Sequence, residues 1–173
     1  IRGFADTGRQ QQTFAVAEDS ELIQTAKRYV ENWGYNKSRS GLYFYGGTGV
    51  GKTFAVSCIA NAVIDKGYTA LVTSLPRLID KMIRGEAAGT LDRVAKVDLL
   101  VLDDFGTERH TEMTAEKIFQ IIDTRISNKK PMLITSNFSI SKLENGDADI
   151  SVKRIASRVR GNCIPIFCGG EDR

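Results

Sequence analysis

Short apolar runs alternate along the chain with longer segments in which apolar residues recur at helical spacing. Five of these runs are predicted to be strands because they are short and predominantly apolar. They cover residues 41–45, 68–75, 98–103, 132–135 and 164–168. Runs that are apolar at successive positions are typical of strands buried on both faces, so the sheet is expected to be parallel and covered by helices.

The segments between the strands predict the helices of a three-layer α/β domain with a central, parallel, five-stranded sheet. Residues 53–66 carry apolar side chains at helical spacing and stop at Gly67, a common helix end. Residues 14–33 are predicted to form a loop and then a helix with Asp19 or Ser20 as its N-cap. The other predicted helices cover residues 78–84, 114–127 and 150–160, and residues 144–149 are predicted as a polar loop.

Length and composition predict one globular domain. The 173 residues suffice for a single buried core, and 42% hydrophobic with 26% charged residues excludes a disordered or collagen-like chain. No uncharged apolar run is long enough to cross a bilayer, and residues 1–12 lack the apolar core of a signal peptide. Because the first residue is not methionine, we expect a fragment: an N-terminal extension, residues 1–13, followed by the domain, residues 14–173.

Net charge, cysteine content and histidine content exclude few classes of function. Lysine and arginine number 24 against 21 acidic residues, and this mild excess does not by itself predict nucleic-acid binding. Cys58, Cys163 and Cys168 show no Cys-x-x-Cys spacing, so we expect reduced thiols in a cytoplasmic protein. His110 is the only histidine in the sequence, which disfavours a zinc site or a histidine-based triad.

A glycine-rich segment after the first predicted strand carries the strongest functional pattern. GGTGVGKT fits G-x-x-x-x-G-K-[ST] at every fixed position and opens a predicted helix. Glycines let backbone N–H groups surround phosphate oxygens, and the helix N-terminus adds positive potential. Lys52 would reach the β- and γ-phosphates, and the Thr53 hydroxyl would ligate Mg²⁺. The predicted phosphate-binding residues are Gly46, Gly47, Thr48, Gly49, Val50, Gly51, Lys52 and Thr53.

Two adjacent carboxylates stand at the end of the third predicted strand, in the run LLVLDD. In a parallel sheet this end of the strand faces the same crevice as the phosphate loop. Asp103 fits the Mg²⁺ carboxylate of a Walker B strand, and Asp104 is placed to orient or deprotonate the attacking water.

The residues alone leave the roles of two other patterns open. Asn137 follows the fourth strand and can contact a γ-phosphate or the lytic water, but Ser-Asn is also common in turns and helix caps. Arg154 and Arg158 lie four residues apart and share one face of a predicted helix. They can complete the nucleotide site of a neighbouring subunit as an arginine finger or form a solvated basic face.

Taken in order, GGTGVGKT, LLVLDDFG, ITSN and KRIASRVRG resemble the AAA+ ATPases of the DnaC/DnaI helicase-loader group, which is related to the IstB transposition ATPases. The resemblance spans residues 14–167 and implies an AAA+ P-loop core, ATP with Mg²⁺, and self-association into an open ring or spiral. It implies sensor-1 duty for Asn137 and arginine-finger duty for Arg158, with Arg154 as the second candidate. The sequence ends soon after the last strand, so we expect no separate lid domain.

The same resemblance implies partners for the chain. Initiator-type AAA+ proteins carry an extra helix that faces the pore, and residues 75–97 are the matching stretch, with Lys81 and Arg84 as candidate contacts to single-stranded DNA. The loop of residues 107–113 supplies two further candidates, Arg109 and Thr111. A replicative ring helicase would bind through an N-terminal region that precedes this chain.

The leading hypothesis is therefore an ATP-hydrolysing replication factor that loads a ring helicase on single-stranded DNA. An IstB-like helper that hands target DNA to a transposase is the alternative. A small-molecule kinase fits less well because it needs a lid and an acceptor pocket, and a nucleotide switch with little turnover is disfavoured by Asp104 and Asn137.

Overall fold

The computed structural model describes residues 2–4, 7–33, 41–107, 111–146 and 149–169. Six parallel strands form one sheet in the order β1-β3-β4-β5-β2-β6. The strands are β1 (Arg2–Phe4), β2 (Gly41–Tyr45), β3 (Ala70–Ser74), β4 (Leu99–Phe105), β5 (Met132–Ser136) and β6 (Cys163–Phe167). Parallel pairing throughout places the carboxyl ends of all six strands at one edge of the sheet.

Helices cover both faces of this sheet. They are α1 (Glu21–Glu31), α2 (Lys52–Asp65), α3 (Leu75–Lys81), α4 (Ala87–Lys96), α5 (Glu112–Ser127), α6 (Ile140–Asn145) and α7 (Ile150–Asn162). A 3₁₀-helix (Thr7–Gln11) follows β1, and a π-helical turn (Met82–Glu86) joins α3 to α4. No helix within the described ranges is long and apolar enough to span a membrane.

Alternation along the central strand explains the three layers. Leu99 and Val101 of β4 pack in the cluster that contains α1 and α2, whereas Leu100 and Leu102 pack with α3 to α7. Successive side chains of a strand point to opposite faces, so a run that is apolar at every position must be covered on both sides. The three-layer α/β class is confirmed, and all five predicted strands are present.

The structure differs from the sequence-based prediction at three places. The sheet has six strands because residues 2–4, predicted as part of an extension, pair with β3. The single helix predicted at residues 78–84 is two helices, and the chain turns between them at Gly85, whose φ of 95° is readily adopted only by glycine. The predicted loop of residues 144–149 begins inside α6, which Ser139 caps by accepting a hydrogen bond from Lys142 N.

A fully buried arginine on α5 holds three chain segments together. Arg125 is 0% exposed, and its Nη1 donates to the carbonyls of Val94 (2.8 Å) and Val97 (2.7 Å). Its Nη2 donates to the carbonyls of Asp98 (3.0 Å) and Pro131 (2.5 Å). Arg125 therefore satisfies the carbonyls at the end of α4 and fixes that end against the starts of β4 and β5.

Replacing Arg125 by leucine is expected to lower the free energy of unfolding by about 3 kcal/mol or more, because four buried or partly buried carbonyls lose a charged donor. Urea denaturation measures this change. Arg93→Leu is the matched control, since Arg93 is an exposed arginine on α4. A loss no larger than that of the control would contradict the structural role of Arg125.

Candidate nucleotide site

The candidate site lies at the carboxyl edge of the three neighbouring strands β4, β5 and β2. The phosphate loop follows β2, the two aspartates end β4, and Asn137 follows β5. Ligands of parallel α/β sheets bind in the crevice outside this edge. The order of the strands therefore gathers segments that are 50 to 85 residues apart in the sequence.

Glycine is required at both ends of the phosphate loop. Gly46 has φ of 150°, and a Cβ at this position would lie 2.1 Å from the carbonyl oxygen of Cys168. Gly51 has φ of 90° and is the N-cap of α2, which begins at Lys52. The loop therefore leads directly into a helix N-terminus, where backbone N–H groups and the helix dipole favour an anion.

Lys52 connects the loop to the end of β5. Its Nζ donates to the Gly46 carbonyl (2.9 Å), the Gly47 carbonyl and the Asn137 side-chain oxygen (3.1 Å). Burial lowers the pKa of the Lys52 ammonium, and the nearby Cys168, Asp103 and Asp104 oppose this shift. The contact with Asn137 places the predicted sensor-1 residue beside the lysine of the phosphate loop.

Asp103 is buried and held by two hydroxyl groups. It is 1% exposed and lies on the same face of β4 as Leu99 and Val101, the face covered by α2. Its Oδ1 accepts hydrogen bonds from Thr53 Oγ1 (3.0 Å) and Thr135 Oγ1 (2.5 Å). Thr53 and Asp103, the two predicted metal-binding residues, are therefore in direct contact.

A bulge at the end of β4 separates the two aspartates. The pairing of β4 with β5 shifts register between Leu102 and Phe105, and Asp104 has φ of 62°. Asp104 N donates to Thr135 Oγ1 (3.0 Å), while the Asp104 side chain is exposed. Bulges commonly change the direction of a side chain next to a functional site. A left-handed backbone at a residue other than glycine is strained, and such residues also cluster at functional sites.

Although the Asp104 side chain is exposed, partial desolvation of its carboxyl raises the pKa of Asp104, and the negative charge of Asp103 raises it further. The positive charges of Arg9 and Lys52 act in the opposite direction. The Asp104 carboxylate is thus more basic than an ordinary aspartate, a property that suits a group that orients or deprotonates water.

Two residues of the site were missed by sequence reasoning. Thr135 bridges Asp103 and the backbone of Asp104, and its signal is a polar residue inside an apolar strand. Arg9, from the 3₁₀-helix after β1, places Nη2 at 2.8 Å from Asp103 Oδ2. Nothing in the local sequence around Arg9 indicates this contact, because it depends on the pairing of β1 with β3.

Arg154 and Arg158 lie on α7 against α5, on the sheet face opposite α2. Ile155 and Val159 are buried, as the helical spacing predicts. The guanidinium carbons of Arg154 and Arg158 lie 5.6 Å and 4.8 Å from the ring centre of Phe119. Arg158 also forms an ion pair with Asp123, so its guanidinium group is oriented while 45% of the side chain remains exposed.

The candidate DNA contacts lie on separate elements. Lys81 ends α3, and Arg84 lies in the π-helical turn, where it pairs with Asp80 at 3.0 Å. Both side chains are exposed. Thr111 is the N-cap of α5 and accepts a hydrogen bond from Thr114 N (3.1 Å), so its hydroxyl already has a structural role. Arg109 lies outside the described residues.

The donor set fits Mg²⁺ bound together with a nucleotide. Thr53 and Asp103 offer a hydroxyl and a carboxylate, which are hard oxygen ligands. Asp103 Oδ2 is buried and accepts no directed hydrogen bond within the described ranges, which leaves one carboxylate oxygen for a metal-bound water. In those ranges no three histidine, cysteine or acidic side chains converge on one point. Nucleotide-bound Mg²⁺ needs only one or two protein carboxylates.

The known proteins similar to this chain include helicase loaders and ATP-binding proteins of insertion sequences. Residues 11–159 match the family described as IstB-like ATP binding protein. The replicative helicase loader DnaI of Bacillus subtilis is 27% identical over 88% of this chain and 53% of its own length. A protein of insertion sequence IS1162 from Pseudomonas fluorescens is 33% identical over 66% of this chain and 50% of its own length.

A solved structure of a relative has the same fold as this chain. The crystal structure of DnaI has a TM-score of 0.83 and 26% identity, and the match covers 100% of this chain and 96% of that chain. The chain spans about half the length of the curated relatives named above.

Proposed function

Because this chain belongs to the IstB-like ATP binding protein family, we propose that it is a Mg²⁺-dependent ATPase that works as an assembly of several copies. One observation carries the proposal: Lys52 hydrogen-bonds to Asn137 while Thr53 hydrogen-bonds to Asp103. The phosphate loop, a metal carboxylate and a polar strand end thus meet in one crevice. That is the set of groups that phosphoryl transfer needs for positioning and charge stabilisation.

The residues of the crevice divide the work of hydrolysis. Lys52 and the loop from Gly46 to Thr53 bind the phosphates. Thr53 and Asp103 would hold Mg²⁺, which would neutralise phosphate charge when bound. Asp104 orients the attacking water and accepts its proton. Asn137 contacts the γ-phosphate or that water as a neutral donor.

Arg158 completes the site of a neighbouring copy as the arginine finger, and Arg154 is the second candidate. Support comes from its local structure: Asp123 and Phe119 orient the guanidinium group, yet 45% of the side chain stays exposed. A preoriented, accessible guanidinium loses little conformational freedom when it binds a phosphate. The assembly is an open ring or spiral with ATP between subunits.

The biological role that this ATPase fits best is loading a replicative ring helicase onto single-stranded DNA. Likeness to DnaI over 88% of the chain supports this role. The helicase would bind through another part of the whole protein, since the match covers only 53% of the length of DnaI.

A transposition helper is the second candidate, because the matching family is the IstB-like one and a protein of insertion sequence IS1162 is 33% identical. Stimulation of ATP hydrolysis separates the two roles. A helicase loader should respond to the replicative helicase of the same organism, and a transposition helper should respond to the transposase encoded beside it.

Binding of single-stranded DNA tests the role of residues 75–97. Lys81→Glu combined with Arg84→Glu should weaken binding at least about tenfold in the presence of ATP, because each assembled copy loses two phosphate contacts. Wild-type binding should also weaken as salt rises, since released counterions drive it. Fluorescence anisotropy with a labelled oligonucleotide measures both effects.

The matched control is Arg28→Glu combined with Lys66→Glu. It changes net charge equally but alters exposed residues of the layer formed by α1 and α2, on the other face of the sheet. Equal affinity of the two double variants would exclude the stretch around Lys81 and Arg84 as the DNA contact.

A further inference from the structure

Among the residues that the structure describes, Arg9 is the cation that forms an ion pair with the predicted metal carboxylate. β1 runs parallel to β3, so the 3₁₀-helix after β1 emerges at the same edge of the sheet as the nucleotide site. From there Arg9 Nη2 reaches to 2.8 Å from Asp103 Oδ2, and the side chains of Arg9 and Asp103 are 20% and 1% exposed.

This ion pair lacks the directed hydrogen bonds that stabilise a buried pair. Asp103 Oδ2 accepts no hydrogen bond from the described residues, and Arg9 Nη1 is buried without a hydrogen-bond partner among them. Desolvation offsets most of the Coulomb attraction of a buried pair unless hydrogen bonds satisfy the remaining donors and acceptors. An unsatisfied buried donor adds a further cost. The contact between Arg9 and Asp103 is therefore one that a competing cation can replace.

Asp103 Oδ2 is also the oxygen left for Mg²⁺. The other oxygen, Oδ1, already accepts hydrogen bonds from Thr53 and Thr135. Arg9 and a metal-bound water consequently compete for the same acceptor, and the charge of Arg9 also repels the metal ion at short range.

A side chain of α2 holds the backbone of the segment that carries Arg9. Asn61 Nδ2 donates to the carbonyls of Arg9 (3.0 Å) and Gln12 (2.8 Å). Residues 7–12 thus contact both the phosphate-loop helix and the metal carboxylate. Loss of the contact with Asp103 would free the Arg9 side chain and loosen the backbone of the segment, although Asn61 still binds two of its carbonyls.

We propose that Arg9 regulates the metal affinity of the nucleotide site: it pairs with Asp103 in competition with Mg²⁺–nucleotide, so that nucleotide binding releases the Arg9 side chain. This inference rests on the proposed ATP site and deepens it. It makes the segment of residues 7–12 responsive to the nucleotide, and it makes the Mg²⁺ requirement of the site depend on that segment.

The test is a Mg²⁺ titration of the binding of a fluorescent, slowly hydrolysed ATP analogue. Arg9→Gln should reduce the Mg²⁺ concentration for half-maximal binding by about tenfold, because a positive charge next to the metal is lost. Arg9→Lys, which keeps the charge, should stay closer to the wild type. Asn61→Ala should shift the requirement in the same direction as Arg9→Gln, because it loosens the backbone that presents Arg9.

Lys66→Gln is the charge-matched control, because Lys66 is exposed at the far end of α2. Hydrogen exchange gives a readout independent of affinity: amides of residues 7–12 should exchange faster with Mg²⁺ and the analogue than with the analogue and EDTA. In Arg9→Gln the two conditions should give equal exchange.

The outcomes separate this inference from the proposed function. A wild-type chain that binds no nucleotide at any Mg²⁺ concentration overturns both. A wild-type chain that binds nucleotide while Arg9→Gln needs as much Mg²⁺ or more overturns the role of Arg9 alone, since Arg9 would then support the carboxylate and not compete for it.

Discussion

Asp104→Asn is expected to bind ATP with wild-type affinity and to hydrolyse it about a hundredfold more slowly or worse, the loss expected when a general base is removed. The amide keeps the size of the side chain but cannot accept the proton of the attacking water. Asparagine tolerates a left-handed backbone, so the φ of 62° at this position adds no strain in the variant. Steady-state phosphate release, measured beside nucleotide affinity, checks both halves of the expectation.

The pH dependence offers a second view of the same residue. Partial desolvation and the neighbouring Asp103 raise the pKa of Asp104, and the residue must be ionised to act as a base. As the pH is lowered, the rate of hydrolysis should therefore begin to fall at a higher pH than it would if Asp104 had the pKa of an ordinary aspartate. Wild-type hydrolysis rates in Asp104→Asn would contradict the assignment of the catalytic carboxylate.

Arg158→Ala should reduce hydrolysis about a thousandfold, the lower end of the effect measured for arginine fingers. Because the arginine acts on a neighbouring copy, the activity of the wild type should rise more than linearly with protein concentration. Mixing Arg158→Ala with Lys52→Ala should restore part of the activity, since one variant supplies an intact phosphate loop and the other supplies the arginine.

Arg160→Ala is the matched control for this experiment. Arg160 lies on the same helix but pairs with Glu144 and contacts Ser141. Its loss should leave hydrolysis within about twofold of wild type, because a surface ion pair contributes little to stability. Failure of the two inactive variants to complement at any ratio would indicate that each copy hydrolyses ATP alone.

The local pattern of apolar residues was sufficient to predict the strands and the helix that form the phosphate site. Apolar runs predicted the strands, and the parallel arrangement of those strands placed Thr53 beside Asp103, 50 residues away, because their ends share one edge of the sheet. The short strand β1 was missed because it depends on pairing with β3, whereas the turn at Gly85 is local and its signal is the glycine itself. A three-residue strand carries too little periodicity to be predicted.

The missed residues of the site have a common cause. Arg9, Thr135 and the bulge at Asp104 depend on the register between strands, which a sequence without its fold does not specify. Arg125 carried a visible signal: it continues the apolar face of α5 three and four residues after Ile122 and Ile121, where a charged residue requires a buried partner.

Calorimetric titration of the wild type and Lys52→Ala with Mg²⁺ and a slowly hydrolysed ATP analogue shows whether the phosphate loop binds nucleotide, with Lys66→Ala at the other end of α2 as the control. The wild type and the control should bind one nucleotide per chain, and Lys52→Ala should bind none that can be measured, because the ammonium group that faces the phosphates is gone. Equal binding by Lys52→Ala, or no binding by the wild type, would contradict the assignment of residues 46–53 as the nucleotide-binding loop.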